Sequence, residues 1–291
     1  MTVPLLNASG CLDALTAPGV ARQLDAFVTK TVTLLAREGN PPPRIAETEL
    51  GMINSIGLQN PGIDAFARDN LPQLAELGVP VWVSVGGFSG RDYADMCERL
   101  DDESSVEVIE LNLSCPNVDE APETGAELVA AARAATTKPL YAKLSPAAWD
   151  VAENAHAVAA AGADGLSLVN TIRGLALDAS TRRSKLARGA GGYSGPALRH
   201  IALACVEACA RAVTLPIVGM GGVASGSDVL DFLAAGASAV ALGTILFSDP
   251  FAPRRIRADL GSAETPSMVV PGHEIHGLVR DSVSRHVLSA E

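Results

Sequence analysis

A (β/α)8 barrel of the TIM type, in the α/β class, is the fold this sequence predicts, and three observations predict it. Eight strand-like runs alternate with helix-like spacing of Leu, Val and Ala along the chain. No linker or shift in composition divides the 291 residues, so 1–291 reads as one domain. Polar and reactive side chains gather where the strands would end, the face on which such barrels carry chemistry.

The first strand, 3–9, runs into Asn7-Ala8-Ser9-Gly10, and the second, 26–32, carries Thr29-Lys30-Thr31. A loop over 34–61, rich in Gly, Pro and Asn, is too long for a simple connection and is expected to cover a site. Helix-like spacing over 62–77 leads to strand three at 80–86, and 89–100 leads to strand four at 108–114. The segments 123–136 and 149–161 bracket strand five at 139–144, which ends on Lys143; strand six, 165–170, ends at Asn170-Thr171. A second long loop, 171–195, precedes helix 196–213, strand seven at 215–220, helix 225–235 and strand eight at 239–244. From about 263 the tail is polar and weakly patterned, with a short helix expected at 275–288. Any one strand-end Asn or Lys is explained by a cap or a solvated head. Seven strand ends at one face are not, because interior amides and ammonium groups need partners.

Composition excludes several functions. With 48% apolar residues the chain can bury a large core, and a formal charge of −11 without a basic cluster argues against nucleic-acid and anionic-membrane partners. No apolar run approaches a membrane span, and no signal peptide opens the chain. Cys11, Cys97, Cys115, Cys205 and Cys209 show neither a paired framework nor a C-x-x-C, so a reduced cytoplasmic protein without a metal or iron–sulfur site of its own is expected. His273-Glu-Ile-His276 is one residue short of a zinc-protease motif and reads as surface tail.

Two stretches carry candidate chemistry. In Glu110-Leu-Asn-Leu-Ser-Cys-Pro-Asn117 a strand runs into Pro116, leaving Cys115 at the strand's C-terminal mouth between two amides. A thiol there suits a proton-transfer base beside a polar heterocycle; a small buried Cys before a turn is the alternative. Gly219-Met-Gly-Gly-Val-Ala224 formally fits a dinucleotide fingerprint, but the next strand ends in Gly243-Thr244 rather than the acid a ribose needs. The two glycine loops better match the phosphate cradle of barrel enzymes, with mere turn glycines as the third reading. A phosphate there, with Lys143 on strand five, fits flavin mononucleotide (FMN) across the barrel top, its reduced form stabilised by the ammonium. Two alternatives remain: Lys143 as a rim lysine, or a non-redox sugar-phosphate barrel in which it is an electrophilic lysine.

Four segments, Thr29–Thr33, Arg37–Gly62, Glu110–Asn117 and Gly191–Pro196, together with Lys143-Leu-Ser-Pro146, Asn170-Thr171 and the glycine loops, resemble the family 1 dihydroorotate dehydrogenases over 3–252. The likeness is strongest to the NAD-linked (class 1B) catalytic subunits. The resemblance implies oxidation of (S)-dihydroorotate to orotate in de novo pyrimidine biosynthesis: Cys115 as the base at C5, hydride leaving C6 for flavin N5, and Lys143 beside the flavin. It places substrate contacts on Lys30, Asn54, Ser55, Ile56, Gly57, Leu58, Asn112, Asn117, Asn170 and Thr171. It places FMN contacts on Ser9, Lys30, Thr31, Ser84, Asn112, Lys143, Val169, Gly195, Gly221, Gly222, Gly243 and Thr244. It also implies a second subunit carrying FAD and an iron–sulfur cluster; a symmetric homodimer is expected because barrels of this kind commonly pair. Three departures stand out: Ser84 where the subclass usually has Asn; a short acidic Val118–Thr124 in place of a longer loop over the substrate; and a sequence that opens almost at strand one, without the family's floor hairpin, with a tail after 263 unlike the family's last helix. The second leaves another dihydropyrimidine open as substrate.

Overall fold

The computed structural model describes residues 3–113 and 123–262, together with Ile275. Cys115, Asn117, His273, His276, the tail from about 263 and its expected helix lie outside these, as do residues 118–122 of the shortened loop.

Eight parallel strands build the barrel: β1 (Leu5–Asn7), β2 (Phe27–Val28), β5 (Val81–Val85), β6 (Val106–Asn112), β7 (Leu140–Leu144), β8 (Gly165–Leu168), β11 (Ile217–Met220) and β12 (Ala239–Leu242). Each falls within or overlaps an expected run. They pair in the order β1-β12-β11-β8-β7-β6-β5-β2. A parallel bridge from Leu6 to Ala26 closes the ring between β2 and β1. Asn7 completes that seam: its Nδ2 donates to Val28 O at 2.7 Å, and its Oδ1 accepts from Val28 N at 2.9 Å. β2 is only two residues long, and one side-chain amide stands in for the ladder it lacks.

Alternation along each strand separates two cores. One face, with Val83, Ile109, Leu111, Ala142 and Leu166, packs against the outer helices, Gly90–Asp101, Gly125–Ala134, Val151–Ala160, Arg199–Ala212 and Gly226–Ala234 among them. The other fills the barrel with Leu6, Val28, Trp82, Val108, Tyr141, Val218, Met220, Ala239, Ala241 and Ile275. The Trp82 and Tyr141 rings meet at 4.7 Å. Gly165 makes room for them, because a Cβ there would lie 2.3 Å from the Tyr141 ring. Above this apolar floor the inward positions turn polar: Ser84, Glu110, Lys143 and Ser167 are all buried.

The two long loops are not plain coil. They contain β3 (Ile45–Thr48) with β4 (Gly51–Asn54), and β9 (Ile172–Gly174) with β10 (Gly191–Ser194), joined as one antiparallel sheet in the order β3-β4-β10-β9. Ile53, Ala46, Ala176 and Leu186 give it a small core. It follows β2 and β8, so it stands on the C-terminal face of the barrel. The 62–77 segment is helical but widens into a π turn at Phe66–Asn70, just before Pro72, whose nitrogen cannot donate to the preceding turn. A helix at Ala252–Ser262 lay outside the expected elements; it buries Ala252 and Ile256. No helix among the described residues is long and apolar enough to cross a membrane.

Candidate active site

Strand ends bring most of the expected residues into one hydrogen-bonded chain across the mouth. Ser9, just past β1, donates to Thr29 O at 2.9 Å and meets Thr31 Oγ1 at 3.2 Å. Thr31 meets Ser84 Oγ at 3.0 Å and accepts from Asn112 Nδ2 at 3.2 Å. Asn112 Oδ1 then accepts from Asn170 Nδ2 at 3.1 Å, and Asn170 Oδ1 accepts from Thr171 N at 2.8 Å. The chain runs from β1 through β2, β5 and β6 to β8, crossing five strand ends. The departure at Ser84 thus has a local account: its hydroxyl is a link that Thr31 uses. Tyr93 OH reaches Asn112 O at 2.7 Å and fixes the end of β6 from outside. Lys143, 4% exposed, places Nζ 3.5 Å from Glu110 Oε1 inside the barrel.

The canopy sheet supplies the expected residues 54–58. Asn54 ends β4 and donates to Gly192 O at 3.3 Å. A Cβ on Gly192 would sit 2.1 Å from Thr171 Oγ1, so Asn54 and Thr171 are brought close through a glycine. Three residues that sequence reasoning did not single out hold the turn beneath. Asn40 donates to Ser55 Oγ at 2.8 Å, while its N–H donates to Ile56 O at 2.9 Å. Arg37 and Asn60 exchange two backbone bonds at 2.9 and 3.1 Å. The Asn60 side chain donates to Leu58 O and Thr33 Oγ1, both at 2.7 Å. Leu58 is thereby held at φ +56, an uncommon conformation for a branched residue. Asn40 and Asn60 each follow a Gly or precede a Pro, which made them read as turn residues.

At the opposite side of the mouth, Gly221 (φ +129) and Gly222 (φ +77) turn the chain out of β11, and Gly243-Thr244 follow β12. The backbone N–H groups of these four residues make no hydrogen bond to any described residue. Gly195 closes against Gly222, where a Cβ would lie 2.8 Å from Gly195 O. Val169 is buried and donates to Met220 O at 2.9 Å. Thr244 Oγ1 meets Ser194 Oγ at 2.8 Å, tying the canopy to this corner. Asp228 fixes the loop below: it accepts from Ala224 N and Ser225 N, each at 2.9 Å, and pairs with Arg199. Cys11 also lies here, 3.7 Å from where a Gly243 Cβ would be; burial pushes its thiol up, against the pull of Lys143 and Lys30.

Amides with no partner among the described residues, in two adjacent glycine loops, fit a phosphate, since half-buried donors need an acceptor and the positive-φ Gly221 and Gly222 leave the approach open. Amides and hydroxyls linked across the centre, with two lysines nearby, fit a flat polar ring. These residues therefore fit FMN, phosphate at 221–222 and 243–244. No cluster of His, Cys, Asp or Glu suited to a metal occurs among the described residues.

Fold and site together define a barrel enzyme with its chemistry at the strand C-termini. Residues 1–263 match the family model described as dihydroorotate dehydrogenase. A relative from Anoxybacillus flavithermus, "Dihydroorotate dehydrogenase B (NAD(+)), catalytic subunit", is 42% identical over 273 residues, covering 88% of this chain and 86% of the relative. Another, from Solibacter usitatus, "Putative dihydroorotate dehydrogenase A (fumarate)", is 47% identical over 245 residues, covering 82% and 81%. Among solved structures, that of DHODH from Eimeria tenella in complex with ferulenol superposes with a TM-score of 0.72 at 22% identity, covering 88% of this chain and 80% of that one; it bears on the fold alone. The chain belongs to the dihydroorotate dehydrogenase family of oxidoreductases.

Proposed function

We propose that this chain oxidises (S)-dihydroorotate to orotate in pyrimidine synthesis, with FMN held across the barrel mouth. The hydrogen-bonded chain from Ser9 to Thr171, facing four backbone amides with no partner among the described residues, is the observation that carries the reading. FMN, when bound, supplies the acceptor for the hydride leaving C6. Gly221, Gly222, Gly243 and Thr244 would hold its phosphate, and Gly195, Val169, Ser9, Thr31 and Ser84 would border it. Lys143 and Lys30 would offset negative charge at the ring. Asn54, Asn112 and Asn170, with Thr171, would pair with the imide and carboxylate edges of the substrate; an unmatched amide would penalise the wrong ring strongly. Asn117 and Cys115 are assigned from the resemblance: Cys115 takes the C5 proton as the base.

For reoxidation we propose the NAD-linked arrangement, with a second subunit carrying FAD and an iron–sulfur cluster, on the strength of the relatives named as catalytic subunits. Direct reoxidation of the isolated chain by fumarate at the full turnover rate would overturn that part.

The test is optical. Protein purified gently is yellow, and anaerobic dihydroorotate bleaches it. Colourless protein that takes up no added FMN overturns the cofactor; yellow protein that dihydroorotate leaves unbleached overturns the substrate. Cys115→Ser retains bound flavin but slows its bleaching by about 10²–10⁴-fold, and unchanged kinetics would remove Cys115 as the base.

A further inference from the structure

The barrel interior holds a carboxylate that the chemistry above does not use. Glu110 lies on the same face of β6 as Val108 and Asn112, so it points toward the barrel axis rather than the outer helices. It is 1% exposed, and Lys143 is its one side-chain partner among the described residues, at 3.5 Å. Ser84 and Tyr141 flank it in register. Ser167 pairs with Lys143 across β7 and β8, and its buried Oγ has no hydrogen-bond partner; Trp82 Nε1, on the inward face of β5, is likewise buried and unpaired.

As a stabilising device this arrangement is poor. Withdrawing two charges from water costs several kcal/mol each, and attraction offsets that cost only with close geometry and saturated hydrogen bonds. Here the contact is long, and a hydroxyl and an indole N–H nearby remain without partners. An apolar pair of equal volume would hold the strands at least as well. The position says more. Glu110 sits one inward step below Asn112, directly under the polar chain of the mouth. Any electron added to a ring resting on Lys143 enters the field of this carboxylate, across an interior of low dielectric.

Resting on the flavin reading above, we propose that Glu110 is a positioning residue that fixes the Lys143 ammonium beneath the cofactor and lowers the cofactor's reduction potential. The ammonium is shared between the Glu110 carboxylate and the negative charge that arrives on reduction, so Glu110 tempers the stabilisation Lys143 gives the reduced ring.

Spectroelectrochemical titration of the FMN-loaded protein tests this. Glu110→Gln keeps a carbonyl for Lys143 and removes the charge. Its midpoint potential is expected to move positive by the equivalent of at least a tenfold gain in binding of reduced over oxidised FMN, about 30 mV for a two-electron couple. A merely structural role would lower the melting temperature and leave the potential in place. Yellow Glu110→Gln protein with the wild-type potential therefore overturns the proposal. Should Glu110→Gln not fold, Glu110→Asp decides: its carboxylate is drawn back by one methylene, so its potential must lie on the positive side of wild type, and coincidence with wild type overturns the proposal. Colourless wild-type protein would fail the flavin reading; yellow variants with an unmoved potential fail only this inference.

Discussion

Asn170 shows how much one amide does at the mouth. It donates to Asn112 Oδ1 and accepts from Thr171 N, so it sets the orientation of one neighbour's side chain and the other's backbone. Asn170→Ala leaves both without that partner, at a cost of about 1–3 kcal/mol where the loss is shielded from water. Orotate affinity, followed by the flavin spectrum, is expected to fall roughly 10–100-fold, with flavin content unchanged because the glycine loops are untouched. Equal orotate affinity in the variant would remove Asn170 from the substrate site. That these side chains gather at one face was legible in the sequence, because Asn and Lys at strand ends demand partners. Asn40, Asn60 and Glu110 were not legible, since their work depends on contacts between segments distant in sequence or on a strand face that the apolar pattern alone did not reveal.

At the scale of elements, the end of helix Gly90–Asp101 is pinned to the approach of β7 by one carboxylate. Asp101 accepts from the Thr136 hydroxyl and from Thr137 N at 2.7 Å. The Thr136 hydrogen bond first, and then the backbone N–H of Thr137, hold its carboxyl below the usual range. A depressed carboxyl contributes stability that is present above its unfolded pKa, about 3.9, and is lost as pH falls through the lower folded value. Asp101→Ala is therefore expected to melt earlier than wild type at pH 7, with the gap closing below about pH 4; a gap unchanged by acid would show that the contact does not depend on charge. Most of the barrel strands were readable because their apolar runs lie beside Gly or Pro, as Pro80 and Gly86 flank β5 and Pro216 and Gly221 flank β11. The canopy strands were hidden, because β10 reads Gly-Gly-Tyr-Ser and β9 holds only three residues, so neither shows a period. Helix Ala252–Ser262 was masked by Pro253 and by three arginines within five positions.

For the molecule as a whole, the ring is no stronger than its seam at β1 and β2. Asn7 contributes two hydrogen bonds there, and Asn7→Ala would bury an unmatched N–H and C=O on Val28. The expected cost is about 2–4 kcal/mol, a loss of several degrees in melting temperature for a chain of this size. A melting temperature within one degree of wild type would mean that the bridge at Leu6 and Ala26 closes the barrel unaided. The overall architecture followed from repetition in the sequence; the closure did not, since nothing about an Asn at a strand end says that it will serve as a missing rung.

Two absent methyl groups let the canopy close. At Gly191 a Cβ would run into Asn54 O at 2.4 Å, and at Gly192 into Thr171. Gly191 thus lets two canopy strands meet, and Gly192 lets the canopy close on the segment that follows β8. A side chain at Gly191 would displace Asn54, and one at Gly192 would displace Thr171, so either change would disturb a residue at the mouth. The closeness of the canopy to the mouth is in this sense encoded by what the chain leaves out.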